Sequence, residues 1–300
     1  RNDVLANSRY LYNSDNIIID SLEYEGLLKN YGNLSAAFGL RKSIGQRSQF
    51  KLNLARSFRM PYPNETSSNG VHHGTFRHEQ GSTNLNGETG HSLEGVYEYS
   101  NATIDIFLST FGSFYNGFIY LAPSARFSPL PEAGQVYQYV QNDAIFWGVE
   151  YSLEWLLADF AQIDHSLEYV WNYNMQTGLG LPFTPPLSVL TSFEWHTHFT
   201  SHRNMLKLKM SHEWVAPQNR TDRNERSTPG YSLFHVAAGG YFEIGNQRIK
   251  WQLRLSNLMN TSYLKHLSRY RLLNIPEQGR NLAISIQVPL EIKLDKFREP

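Results

Sequence analysis

"IKWQLRLS", residues Ile249 to Ser256, sends Ile249, Trp251, Leu253 and Leu255 to one side of an extended chain and Lys250, Gln252, Arg254 and Ser256 to the other. "LAISIQVPL" (Leu282 to Leu290) repeats the pattern, with Leu282, Ile284, Ile286, Val288 and Leu290 opposing Ser285 and Gln287. In "MLKLKMSHEW" (Met205 to Trp214), Leu206, Leu208 and Met210 oppose Lys207, Lys209 and Ser211. A period of two is the signature of strands, and helical periodicity is almost absent along the chain.

Such alternation recurs from about Asn33 to Leu290 and predicts about eleven strands: near 33–42, 47–59, 91–100, 103–121, 135–157, 163–176, 187–199, 204–215, 231–244, 248–258 and 280–290. The connections alternate in length. They are short at "KSIGQ", "NA", "DFAQ", "TSHR" and "GNQ", and long at 60–90, 122–134, 177–186, 216–230 and 259–279. A sheet that meanders between two environments has this rhythm.

Alternation alone fits two architectures. A soluble sandwich packs its apolar faces on each other, whereas a membrane barrel turns them to lipid and keeps the polar face wet. Length and aromatic placement favour the barrel. Segments 103–121 and 135–157 exceed the ordinary strand of about 5–6 residues several-fold, as tilted, membrane-crossing strands do when they run on into outer loops. Tyr97, Tyr99, Tyr151, Trp155, Trp171, Tyr173, Trp195 and Trp214 fall near predicted strand ends, where headgroup girdles hold such side chains. The expected fold class is therefore all-β, a partial transmembrane antiparallel β-barrel of about eleven meandering strands belonging to a larger barrel. Two free edges in hydrocarbon would leave rows of unpaired backbone groups, so further strands are expected to complete it.

Composition narrows the function. Lys plus Arg equals Asp plus Glu at 27 each, which gives no field to recruit nucleic acid, and no basic tract interleaves with stacking residues. There is no cysteine, which removes disulfides, thiolate metal sites and a thiol nucleophile. No G-x-S-x-G elbow, P-loop or phosphate-cradling glycine run occurs, so no enzymatic activity is expected. The start, "RNDVLANSRY", has neither an apolar leader core nor an initiating Met, and the chain is expected to begin within a longer one.

Several motifs in order along nearly the whole chain resemble the C-terminal half of the barrel of TonB-dependent outer-membrane receptors. "ARSFRMP" (Ala55 to Pro61) resembles that family's R-x-F-R-x-P, and "STNLNGE" (Ser82 to Glu88) its N-x-N-L-x-P-E, although Asn86 and Gly87 replace the usual Lys-Pro. "FYNGFIYLAP" (Phe114 to Pro123), "LPFTPP" (Leu181 to Pro186) and "TPGYSLF" (Thr228 to Phe234) match strand-to-loop transitions. "LSNLMNTSYLKHLSRYR" (Leu255 to Arg271) and "PEQGRNLAISIQVPL" (Pro276 to Leu290) resemble the N-L-x-N-x-x-Y segment and the final strand. "EIKLDKFREP" runs on past the family's usual terminal aromatic.

The resemblance implies a bacterial outer-membrane importer with 22 strands, a plug domain that this chain lacks, outer-membrane lipid around it, and energy from the TonB complex through that plug. It divides the chain into residues 1–32, an outer loop and the end of a preceding strand; 33–290, the C-terminal half of the barrel; and 291–300, an extension. The implied partner is a small-molecule metal chelate such as a ferric siderophore, with no resident cofactor. A zinc-uptake receptor of the same family, a passive porin and a soluble sugar-binding β-protein are the alternatives.

The family's last strand ends at the periplasm, which puts every long loop outside. Candidate ligand-capture residues are then His72, His73, His78, Glu79 and His91, imidazole and carboxylate donors suited to Zn, Fe or Ni. "NGVHHGTFRHEQG" also resembles loops of zinc-uptake receptors. Glu194, His196 and His198 share one face of a strand and form a candidate lumenal relay. Arg56, Arg59, Lys207, Lys209 and Arg254 are expected to line the lumen, and Tyr62, Phe127, Tyr263 and Tyr270 are candidates to stack on a siderophore. For each cluster an ordinary role competes: solvated loop, plug contact or girdle.

Overall fold

A computed structural model describes residues 2–12, 18–72, 74–75, 77–130, 134–199, 204–244 and 247–289, with side chains described from Lys29 onward. Fifteen strands are present among them: β1 (Asn2–Tyr12), β2 (Ile18–Asn30), β3 (Ala36–Ile44), β4 (Ser48–Arg59), β5 (Asn69–His72), β6 (Arg77–Gln80), β7 (Glu88–Ser100), β8 (Ile104–Phe127), β9 (Gln135–Ala158), β10 (Ala161–Asn174), β11 (Ser188–Phe199), β12 (Asn204–Val215), β13 (Tyr231–Ile244), β14 (Gln247–Ser256) and β15 (Asn281–Gln287). Two short helices join them, α1 (Pro63–Ser67) and a 3-10 turn (Arg269–Leu273).

Eleven strands form one antiparallel meander in the order β15-β14-β13-β12-β11-β10-β9-β8-β7-β4-β3, in accord with the all-β barrel wall expected from the sequence. Segment 2–30 forms a separate antiparallel hairpin, β1–β2. Lys29 Nζ ties its end to the Leu85 carbonyl at 2.7 Å. The expected extension 291–300, His73 and the turn at 200–203 lie outside the described residues.

Register shows how the two faces arise. One rung across the wall carries Phe38, Leu54, Leu93, Gly112, Trp147 and Trp171; the next carries Leu40, Leu52, Gly95, Thr110, Val149 and Tyr169. All point the same way. That face is exposed although it is apolar: Phe38 is 65% accessible, Met210 60% and Ile284 70%. On the opposite face Lys51 pairs with Glu98 at 2.5 Å, Lys209 with Asp164 at 2.9 Å and Lys207 with Glu194 at 2.6 Å. Apolar outside and ionic inside is the arrangement of a lipid-bathed wall with a wet interior, and it overturns the soluble double-layered alternative. The expected girdle residues all take the outer face, because each sits on its strand at the parity of the apolar rungs.

Parity also corrects one expectation. Arg56 does not line the lumen; it shares a rung with Ala36, His91 and Phe114 on the outer face, while Arg59, three residues on, faces inward.

One irregularity redirects a strand. Between Tyr115 and Phe118, β8 advances one residue more than β9, and Gly117 at the bulge has φ +67. Its amide donates to Asp143 Oδ1 at 2.8 Å. A Cβ there would sit 2.8 Å from the Gln141 amide in a left-handed conformation that only glycine adopts readily. Past the bulge the parity of β8 reverses, so Phe118 and Tyr120 join Tyr115 and Phe146 in an inner-face aromatic cluster with ring centres 5.1–6.2 Å apart.

Replacing Met210 by Arg on the outer face is expected to cost about 2–4 kcal/mol. Equilibrium urea unfolding of the full receptor in lipid vesicles measures this, and Met210→Leu is expected to be neutral.

Candidate functional site

The long connections between strands interlock at one end of the wall. The first, 60–87, is anchored at its root. Arg59 Nη1 donates to both Glu65 oxygens at 3.1 and 2.8 Å, and its Nη2 lies 3.0 Å from Glu88. Glu65 also accepts from the Tyr62 amide at 2.7 Å, starting α1, and Glu88 accepts from the Ile119 amide at 2.8 Å. Both carboxylates are buried. The R-x-F-R and N-L-x-x-E motifs therefore fasten a loop to the strand beside it.

From α1 the chain turns through β5 and β6, and β6 lies parallel to the top of β9 with His78 opposite Val136 and Glu79 opposite Tyr137. The expected donors are distributed by this pairing. His78 is buried, with its two ring nitrogens 2.8 Å from Ser128 Oγ and 3.2 Å from Asn69 Oδ1. Glu79 is buried and accepts from the Tyr139 hydroxyl at 3.3 Å. His72 is exposed, and its Nδ1 lies 3.2 Å from Thr75 Oγ1 within the turn. His91 stands apart on the outer face of β7. The structure thus does not gather His72, His78, Glu79 and His91. Strand parity sends His91 outward, and the β6–β9 pairing consumes His78 and Glu79. Among the described residues, no group of three or more His, Asp or Glu is placed to hold a metal ion.

The lumenal trio keeps its shared face. His196 and His198 meet edge to face with ring centres 5.9 Å apart, and Glu194 is held by Lys207 at 2.6 Å. A neighbouring pair, Asp164 and Lys209, continues the ionic lining.

A second constellation has no counterpart among the residues that the sequence singles out. Glu225, from the 216–230 connection, lies 2.7 Å from Arg271 Nη2 and 3.2 Å from His266 Nε2, both from the 257–280 connection. No aligned hydrogen bond joins His266 Nε2 to the carboxylate. The His266 Nδ1 lies 3.0 Å from Thr228 Oγ1 and 2.5 Å from Arg271 Nη1, so the ring proton belongs on Nε2, facing the carboxylate. The Phe183 amide, from the 175–187 connection, donates to Glu225 Oε1 at 3.0 Å. Three outer loops thus meet at one buried carboxylate. These residues lie about forty apart in polar loops, with no local motif to single them out.

Around this knot, the rings of Tyr137 and Phe183 stack with centres 5.9 Å apart, and the Arg77 guanidinium lies over both, 4.7 Å and 4.3 Å from their centres. Tyr263 packs on Tyr231 at 4.5 Å. Tyr62, Phe127 and Tyr270 remain exposed at 60%, 78% and 42%. Two of them carry cations: Arg59 lies 5.4 Å from the Tyr62 ring centre and Arg269 5.2 Å from that of Tyr270.

A family model described as TonB dependent receptor-like, beta-barrel, matches residues 7–260. No curated protein sequence matches the chain. Among solved structures, the copper transporter OprC is similar at 19% identity and a TM-score of 0.70, covering 89% of this chain and 40% of its own. BauA, the ferric preacinetobactin receptor from Acinetobacter baumannii, is similar at 16% identity and TM-score 0.61, covering 85% and 36%. The siderophore receptor PirA from Pseudomonas aeruginosa is similar at 18% and 0.55, covering 87% and 41%. At these identities the likeness establishes the fold. The chain spans about two fifths of the length of the proteins it resembles.

Replacing Glu225 by Ala leaves Arg271 buried without its carboxylate and is expected to cost about 3–5 kcal/mol of local stability. Hydrogen exchange of amides in 262–275 should accelerate while the β11–β13 amides stay protected. The pH dependence has two parts. Burial raises the Glu225 carboxyl, but the His266 ring, the Phe183 amide and the Arg271 guanidinium together outweigh it and hold the group low. Its contribution is complete above the unfolded value of about 4.3 and is lost as pH falls through the lower folded value. Asp222 has the opposite sign, raised by burial and by the Glu225 charge against the Arg223 amide, so acidification first relieves it. Loop protection should hold or rise slightly from pH 7 to about 5 and collapse below about 4.

Proposed function

Because this chain belongs to the TonB-dependent receptor β-barrel family of the bacterial outer membrane, we propose that it forms the channel wall and outer capture surface of an importer for a metal chelate such as a ferric siderophore. Passage would be gated by a plug domain that engages TonB.

The observation that carries the cargo class is the contrast between occupied donors and open aromatics. A bare cation needs imidazoles and carboxylates to enter its first coordination shell. In this mouth His78, Glu65, Glu79, Glu88 and Glu225 are each engaged by protein partners. A chelate brings its own donors and asks instead for flat aromatic surface and positive charge. Tyr270 with Arg269 presents both in the outer loops, and Tyr62 and Phe127 add exposed rings, the Arg59 charge near Tyr62 being committed to Glu65 and Glu88. Stacking of this kind contributes about 0.5–2 kcal/mol per contact.

Of the similar structures, BauA is named for ferric preacinetobactin and PirA for a siderophore, in line with a chelate, whereas OprC is named for copper. Lower on the inner face, Glu194, His196 and His198 would contact either the plug or the passing cargo; the pairing of Glu194 with Lys207 favours plug contact.

In the full-length receptor, the double substitution Tyr62→Ala and Tyr270→Ala is expected to weaken binding of a ferric catecholate siderophore about tenfold by fluorescence quenching. His72→Ala and His73→Ala are expected to leave it unchanged. Loss of zinc binding in the histidine variants, with siderophore affinity untouched in the tyrosine variants, would instead assign the loop to zinc.

A further inference from the structure

On the outer face of the wall, the rungs between β3 and β9 are not uniformly bulky. Gly112, Gly95 and Thr110 lie adjacent in register, and their small side chains leave a trough between Leu54 and Leu93 on one flank and Trp147 on the other. Two open depressions of about 840 and 410 Å³ share Leu93, Gly112 and Trp147 and run together along it. Nothing lies within 4 Å of the place where a Cβ on Gly112 would go, and a Cβ on Gly95 would meet only the Phe50 ring at 3.8 Å. These glycines are therefore not required by close packing of the wall.

The trough ends, at its extracellular side, on two nitrogen-bearing side chains. Arg56 and His91 are cross-strand neighbours on the rung directly above Leu54 and Leu93, and both line the larger depression. Arg56 Nη1 donates to Asn33 Oδ1 at 2.6 Å and to the Leu34 carbonyl, both neutral acceptors. Among the described residues it has no carboxylate partner, whereas on the inner face Lys51, Arg59, Lys207 and Lys209 each have one. Asp143, higher on the outer face, is taken up by the amides of Asn116 at 3.2 Å and Gly117 at 2.8 Å. At the other end the face carries Lys42, opposite Phe50.

A cation without a counter-ion at the headgroup level, above an apolar trough in the hydrocarbon, is complementary to one kind of occupant. We propose that this face seats a lipid of the outer leaflet whose headgroup exposes anionic phosphate, with the phosphate on Arg56 and His91 and an acyl chain lying over Gly112 and Gly95. Arg is well suited to phosphate because its planar fork gives two parallel donors. Each methylene covered by the trough contributes through apolar burial, which sums along a chain. The site uses residues that take no part in cargo capture, so it stands or falls separately from that function.

Native mass spectrometry of the full-length receptor, exchanged with bisphosphorylated lipid A or with zwitterionic phosphatidylcholine, tests the assignment. Wild type should retain lipid A over phosphatidylcholine. Retention should fall at least fivefold both in Arg56→Gln/His91→Gln, which removes the headgroup contacts, and in Gly112→Leu, which fills the trough. Siderophore affinity should stay unchanged in both, which shows that they fold. Equal retention of the two lipids, a Gly112→Leu receptor that holds lipid A like wild type, unaltered retention in the Arg56/His91 variant, or displacement by millimolar inorganic phosphate would each overturn the proposal.

Discussion

Hydrocarbon offers a backbone amide nothing to bond to, and everything in this wall follows from that constraint. Each unsatisfied group in the membrane costs several kcal/mol, so the chain crosses only where neighbouring strands complete its ladder. The meander meets the requirement by pairing every strand with its sequence neighbour, β4 with β7 being the sole step along it, among the described residues, that skips strands, β5 and β6. The outermost strands, β3 and β15, are each paired on one side among the described residues, and in lipid their free edges need further strands. Once the backbone is committed, side chains in the wall beneath the loop layer follow by parity: there, odd residues of β7, β9, β10 and β11 take the lipid face and even ones the wet face.

The wet face and the loop layer then solve different problems. On the wet face, cross-strand ion pairs neutralise charges along the lining: Glu98 with Lys51, Asp164 with Lys209, Glu194 with Lys207. At the mouth, polar groups are buried away from bulk water, and each must be bonded or be costly. Glu65, Glu88 and Glu225 answer this by acting as hubs that collect amide and guanidinium donors from separate segments. The loops are thereby a connected surface in which displacing one strains its neighbours.

What the sequence makes legible tracks how local each cause is. Alternation lies within a strand, so all eleven wall strands and the girdle are readable from runs such as Ile249 to Ser256. The lumenal placement of Glu194, His196 and His198 is readable for the same reason. Arg56 reads as lumenal only while its motif is treated as a unit, and counting by parity turns it outward. The histidine loop misleads for a physical reason: imidazoles close in sequence suggest convergence, but the parallel pairing of β6 with β9, more than fifty residues away, decides where His78 points. Glu225, His266 and Arg271 are invisible in the sequence because nothing in their neighbourhoods marks them; only the meeting of three loops does.

The extra residue at Gly117 carries a consequence for how such a molecule diversifies. Below it, β8 obeys the lipid-facing register of the wall; above it, the register is reset. A single-residue insertion or deletion at such a joint inverts the orientation of every side chain beyond it without disturbing a rung beneath. Mouth and wall are therefore separable inheritances: new chemistry at the rim is accessible through small changes in chain length, while the part soaked in fatty chains stays constant.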